Sequence, residues 1–162
     1  EFKERFGRSY GGMLDVYRTD DAEVVLICAG TTASTAREVV DKMRDEGKKV
    51  GLARLRVLRP FPVEEIRALG KRCKALGVID RSISIGYEGQ IFTDVKAALY
   101  NTNVRVPVKN YLIGIGGRDV KMSHIMKVFE NLFTIADKGM DCEVEWYELK
   151  MEDGRRDVVI RR

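Results

Sequence analysis

A three-layer α/β/α sandwich around a mostly parallel sheet is the fold class this sequence predicts, and three observations predict it. Short β-branched apolar runs recur along the chain, and they are continuous enough to suit strands covered on both faces. Between them lie stretches whose apolar residues return every three or four positions, long enough to act as the crossovers that parallel strands require. Glycines, prolines and capping residues punctuate the junctions. The order that results is β-α-β-α-β-α-β-α, with a short strand possible at the end.

Each element has its own signal. Residues 1–22 are polar, aromatic and glycine-bearing, and read as an N-terminal arm or linker from a preceding domain. Glu23 to Ala29 is a near-continuous apolar run and the first strand. Ala36, Val39, Val40 and Met43 then define a helix; Thr35 and Glu38 have capping-box spacing, and Gly47 suits its stop. Lys49 to Leu58 forms a second strand, broken by Arg59-Pro60-Phe61-Pro62. Pro62 and the early acids Glu64 and Glu65 start a helix with Ile66, Leu69 and Cys73 on one side. A strand over Ala75–Asp80 leads through the loop 81–90 to a helix over Ile91–Tyr100, with Ile91, Val95, Ala98 and Leu99 inward. Val106 to Ile115 is the next strand, and Ser123 to Lys138 the last helix, with Ile125, Phe129, Leu132, Phe133 and Ala136 on its apolar side. Glu143 to Leu149 closes a domain placed at 23–150, and 151–162 reads as a basic C-terminal tail.

Composition narrows the function. With 162 residues, 44% hydrophobic and 33% charged, the chain fits one globular domain able to bury a real core. No apolar run approaches the ~20 residues of a membrane span, and the charged start is unlike a signal peptide, so no membrane partner is expected. The 29 basic and 25 acidic residues are interspersed, which argues against a dedicated nucleic-acid surface. Arg155, Arg156, Arg161 and Arg162 in the tail read as a solvated terminus. Cys28, Cys73 and Cys142 are scattered without a C-x-x-C pair, so neither an iron–sulfur cluster nor a zinc ribbon is indicated, and a reduced, cytoplasmic location is expected. The lone His124 reads as a surface or capping residue. The first residue is Glu1, which is expected of processing or of a piece of a longer chain.

Ligands of such sheets meet the carboxyl ends of the strands. Four segments should converge there: Gly30-Thr31-Thr32, Arg59-Pro60-Phe61, Asp80-Arg81-Ser82 with Gly86 to Gln90, and Gly116-Gly117-Arg118-Asp119. Gly30, Thr31, Thr32, Gly116 and Gly117 form a candidate anion loop, although threonine caps and a tight glycine turn explain the same residues. Asp80 and Glu88 can be imagined as an acid–base pair. The plainer reading is an Asp80-Arg81 strand end with its charge neutralised and Glu88 in a turn or interface. No serine has a nucleophile-elbow setting and no histidine stands nearby as a base, so no catalytic, cofactor-binding or metal residue is assigned.

Several stretches, taken in order, carry a resemblance. They are Phe6-Gly7-Arg8-Ser9-Tyr10 with Tyr17 to Glu23, Gly30-Thr31-Thr32, and Val50-Gly51-Leu52 with Arg59-Pro60-Phe61-Pro62. Val78 to Ser82 with Gly86-Tyr87-Glu88-Gly89, and Ile115 to Val120, complete the set. Together they resemble the alpha chain of the pyruvate:ferredoxin oxidoreductases (2-oxoacid:ferredoxin oxidoreductases), in the region similar to the C-terminal domain of transketolase. Thr31 stands where the family often has serine, and Tyr87 where glycine is common.

The resemblance implies a parent enzyme that oxidatively decarboxylates a 2-oxoacid on thiamine diphosphate and Mg, forms an acyl-CoA with CoA as co-substrate, and reduces ferredoxin through iron–sulfur clusters. It also implies partners: a pyrimidine-binding domain earlier in the same chain, and beta, gamma and delta-type subunits or domains that hold the pyrophosphate and the clusters. This domain would bind none of those cofactors and would be inactive alone, a scaffold for assembly. Its candidate interface residues are Tyr10, Tyr17, Arg59, Phe61, Arg81, Glu88 and Arg118, because desolvated arginines and aromatics dominate interface energetics. Such a piece should tend to self-associate. The alternative is a self-contained small-anion or nucleotide-binding α/β domain.

Overall fold

The strands pair into a single seven-stranded sheet, seen in a computed structural model that describes residues 1–8, 11–140, 143–149 and 158–161. The elements are α1 (Phe2–Phe6), β1 (Leu14–Tyr17), β2 (Val24–Ala29), α2 (Thr32–Asp45), β3 (Val50–Leu55), α3 (Val63–Gly70) and β4 (Ala75–Asp80). They continue with α4 (Gln90–Leu99), β5 (Val108–Leu112), α5 (Met122–Lys138), β6 (Val144–Leu149) and β7 (Val158–Arg161). Strand order is β1-β3-β2-β4-β5-β6-β7. β3, β2, β4, β5 and β6 run parallel, and β1 and β7 close the two edges antiparallel.

Alternation along β2 explains the layers. Val24, Leu26 and Cys28 face one side, where Ala36, Val39, Val40 and Met43 of α2 and Ile125, Phe129 and Leu132 of α5 cover them. Val25 and Ile27 face the other, beneath Ile66 and Leu69 of α3 and Phe92, Val95 and Ala98 of α4. Both faces are thereby dry, which is what the unbroken apolar runs required.

The four helices that connect sheet strands divide two and two, and this has a topological consequence. α2 carries the chain from β2 outward to β3, whereas α3, α4 and α5 carry it the opposite way along the sheet. Right-handed crossovers then put α3 and α4 on the face opposite α2, as observed. α5 returns to the α2 face and packs over α2, β4 and β2, so the β5–α5–β6 connection has the opposite hand.

The predicted elements hold with shifts at their ends. α2 starts at Thr32, ahead of Thr35 and Glu38, because Thr32 and Ala33 extend its buried stripe; the Thr35–Glu38 capping box therefore does not form at the helix start. Gly47 does end α2: its φ is +81°, its N–H donates to Arg44 O at 2.9 Å, and Lys48 N–H donates to Met43 O at 2.9 Å. α3 ends at Gly70, so Cys73 lies in the turn beyond rather than on the helix. In α4 Phe92 is fully buried together with Val95, while Ile91 is half-buried at the helix start. Within the stretch read as an arm, β1 pairs with β3, and Leu14 is buried. Within the stretch read as a tail, β7 pairs with β6. Cys142, Arg155, Arg156 and Arg162 lie outside the described residues.

Candidate interface at the strand ends

The carboxyl ends of β2, β3 and β4 open into a cleft of about 640 Å³. It lies between β2 and β4, where the chain leaves adjacent strands toward opposite faces, the expected place for a crevice in a doubly wound sheet. Gly30 and Thr32 after β2, Arg59 after β3, Arg81 and Ser82 after β4 and Asp94 of α4 line it.

Asp80 is the centre of the local architecture. The carboxylate is buried and accepts the Ile91 amide at 2.9 Å through Oδ1 and the Phe92 amide at 3.1 Å through Oδ2. It thus satisfies the first amides of α4 from the neighbouring strand end. Asn110 Nδ2 donates to the same Oδ2 at 2.9 Å and to Val78 O at 3.2 Å, while Asn110 Oδ1 accepts the Gly89 amide at 2.9 Å. Burial pushes the Asp80 carboxyl above its ordinary range, against the three hydrogen bonds that favour its charged form. Every oxygen is committed to structure. The expectation of an Asp80–Arg81 strand end is corrected accordingly: the Arg81 Nη2 donates to Arg118 O at 3.2 Å, and Asp80 turns inward to cap α4.

Glu88 is only 6% exposed; its Oε1 accepts Thr93 Oγ1 at 3.1 Å and its Oε2 lies 3.8 Å from Lys96 Nζ. It therefore anchors the 81–89 loop from inside. No acid–base pair with Asp80 results, since both carboxylates are spent on α4. The Cys28 thiol is buried and pushed up to about 12, which removes it as a nucleophile. Among the described residues, no group of three or more His, Cys, Asp or Glu side chains stands together in a way that could hold a metal.

The remaining sequence-derived candidates separate in space. Arg59 and Arg81 both border the cleft; Arg59 Nη1 pairs with Asp94 Oδ2 at 2.8 Å. Arg118 is exposed and joined to Arg81 through its carbonyl. Phe61 is half-buried against the core. Tyr17 stands at β1, where its hydroxyl donates to Asp41 at 2.7 Å and the Arg37 guanidinium lies 3.9 Å over its ring, tying the edge strand to α2. Tyr10 lies outside the described residues. The candidate anion loop is not brought together as one site, because Gly30 and Thr32 line the cleft and Gly116 and Gly117 do not. Thr31 makes no side-chain cap to α2, and Gly114, Gly116 and Gly117 all have positive φ, forming a tight turn. At Gly114 a Cβ would meet Val120 Cγ2 at 2.9 Å and Arg118 O at 3.0 Å, so only glycine lets the Arg118 backbone approach.

Sequence reasoning missed the apolar half of this surface. Leu58 after β3, Ile85 and Tyr87 after β4, and Met122 after β5 are all exposed, Ile85 fully. The signal was present as Ile83, Ile85 and Tyr87 inside a loop, where apolar residues have no core to serve. His124, buried at the start of α5, accepts the Lys121 amide at 3.3 Å through Nδ1, a capping role.

The sheet and its layers define the class: a three-layer α/β/α domain with a mostly parallel sheet, a fold shared with transketolase-like structures. A split-gene transketolase in its inactive beta4 tetramer superposes with a TM-score of 0.62 at 16% identity, covering 80% of this chain and 44% of that one. The 2-oxoglutarate:ferredoxin oxidoreductase of Magnetococcus marinus gives a TM-score of 0.58 at 22% identity, covering 80% of this chain and 20% of that one. Both likenesses concern the fold. Residues 22–125 match the family model for the pyruvate:ferredoxin oxidoreductase core domain II. The pyruvate synthase subunit PorA of Methanosarcina barkeri is 45% identical over 153 residues, 94% of this chain. The ketoisovalerate oxidoreductase subunit VorA of Pyrococcus horikoshii is 43% identical over 151 residues, 93% of this chain. The chain belongs to the pyruvate:ferredoxin oxidoreductase family and spans about 38% of the length of these two curated relatives.

Proposed function

We propose that this chain is an assembly domain within the alpha subunit of a thiamine-diphosphate-dependent 2-oxoacid:ferredoxin oxidoreductase, and that it carries out no chemistry itself. The parent enzyme would oxidatively decarboxylate a 2-oxoacid to an acyl-CoA and reduce ferredoxin, in the cytoplasm. Relatives named for pyruvate and for ketoisovalerate match almost equally well, which favours the 2-oxoacid class as the shared chemistry.

One observation carries the reading. Four exposed apolar residues (Leu58, Ile85 and Tyr87 on loops, Met122 at the start of α5) and the exposed Arg59, Arg81 and Arg118 follow the strands at the same end of the sheet, while Asp80 beneath them caps α4 and Glu88 is held by Thr93. Apolar residues rimmed by arginines are the composition of a protein contact, and the committed carboxylates of Asp80 and Glu88 are withdrawn from acid–base work. The pyrimidine-binding part of the same subunit and the other subunits are the partners this surface would meet.

The experiment is a pair of surface changes in the assembled enzyme. Ile85→Asp and Arg81→Glu alter exposed side chains, and the one recorded bond lost is that of Arg81 to the Arg118 carbonyl, so the thermal midpoint of the chain should change little. Assembly with the remaining subunits, read by size-exclusion chromatography, should weaken strongly with the double variant. Intact assembly and full activity in that variant would refute the placement of the interface.

A further inference from the structure

Among the described residues, the face that α5 abandons carries only α3 and α4. α3 and α4 lie side by side on it, and beyond α4 the sheet continues through β6 and β7. A right-handed β5–β6 crossover would have set a third helix beside α4; α5 lies on the opposite face instead. In that position a groove of about 560 Å³ follows the free flank of α4. Leu99, Val106, Pro107, Val108 and Met140 give it an apolar floor, and the exposed Tyr87 and Tyr100 border it.

At its rim two carboxylates, Glu88 and Glu143, share the one ammonium of Lys96, and the Arg105 guanidinium stands apart from them. Lys96 Nζ is held by Glu143 Oε2 at 2.8 Å and lies 3.8 Å from Glu88 Oε2. Arg105 donates to Thr102 O at 3.4 Å and meets no carboxylate among the described residues. An occupant with an apolar stripe and a carboxylate near Arg105 fits this groove, and parallel sheets are covered on both faces by helices. The relatives supply the source, since the chain spans only 38% of the PorA subunit and more than half of such a subunit lies elsewhere.

We propose that the groove beside α4 receives an amphipathic helix from another part of the same subunit, with an acidic residue of that helix paired to Arg105. The proposal rests on the reading of this chain as one domain of a longer subunit. It concerns a surface that meets the strand-end interface at Tyr87 and runs from there along α4.

Ala97, exposed on α4 and lining the groove, is the reporter. The measurement is the maleimide labelling rate of Ala97→Cys, with Cys73→Ser and Cys142→Ser as background and Cys28 protected by burial. Rapid labelling is expected in the 162-residue chain, and labelling slowed about tenfold or more in the full-length subunit alone, as for a site opened only by local release. Adding Arg105→Glu should restore much of the rate in the full-length subunit. Equal rates in the two would overturn the proposal. So would protection that appears only when other subunits are added, or only as the concentration of the 162-residue chain is raised, which would point to a different subunit or a second copy. Failure of the domain reading itself would show as 2-oxoacid turnover by the 162-residue chain, which the labelling rate does not report.

Discussion

Gly89→Ala tests the Asp80 hub most severely. Gly89 has φ −65° and ψ 141°, a backbone that alanine adopts without strain, so any loss must come from contact. A Cβ at this position would overlap the Asp80 side chain, reaching to within 2.6 Å of its Cβ and closer to its carboxylate. The carboxylate would have to leave the amides of Ile91 and Phe92 and the Asn110 amide. Charge-assisted bonds are worth about 1.5–3 kcal/mol each, and partial rehydration of α4 leaves a net loss of about 3–5 kcal/mol. Against a typical domain stability of about 5–15 kcal/mol that is a large fraction. Urea denaturation followed by far-ultraviolet circular dichroism should show the midpoint falling by about 2 M at an m-value near 2 kcal/mol/M. In an Asp80→Ala background, where two of the three overlaps vanish, the same glycine change should cost clearly less. A loss below about 1 kcal/mol, or strict additivity with Asp80→Ala, would refute the reasoning.

Other outcomes follow from the same geometry. The Asp80 carboxyl is raised above 3.8, so the folded state holds the extra proton in the window above that value. The stability of the wild type relative to Asp80→Asn should therefore decline as pH rises through that window and then level; an increase would contradict it. Lys109 is fully buried with its Nζ 2.8 Å from Glu145 Oε2, linking β5 to β6. Glu145→Ala should cost about 3–5 kcal/mol in denaturant titrations, and Lys109→Met with Glu145→Leu should recover most of it. Gly77→Ala would press on Leu132 Cδ1 at 2.8 Å and should destabilise by about 1–3 kcal/mol, partly relieved by Leu132→Ala.

The layers were legible because their cause is local. Val24 to Cys28 alternates between two dry faces, and α5 repeats its apolar stripe over four turns, so strand and helix could be read without tertiary knowledge. Long-range pairings left weaker traces. β1 was hidden in a polar stretch because an antiparallel edge strand of four residues, only Leu14 of it buried, carries little hydrophobic period. The hand of the β5–α5–β6 crossover has no sequence signature, since either face accepts the same amphipathic helix. At the site, the spacing of Asp80 from Arg81 pointed to a neighbour pair, but the carboxylate bonds across 11 and 12 positions to Ile91 and Phe92. Arg59, Arg81 and Arg118 were identifiable as surface arginines after strands, whereas Glu88 proved to be an internal anchor and Tyr17 a tie to α2.

The central claim is best tested by giving the purified 162-residue chain a 2-oxoacid, thiamine diphosphate, Mg, CoA and an artificial electron acceptor, and following acceptor reduction. The account predicts none above background, with activity appearing only when the chain stands within its complete oxidoreductase. Sustained 2-oxoacid-dependent reduction by the chain alone would contradict it.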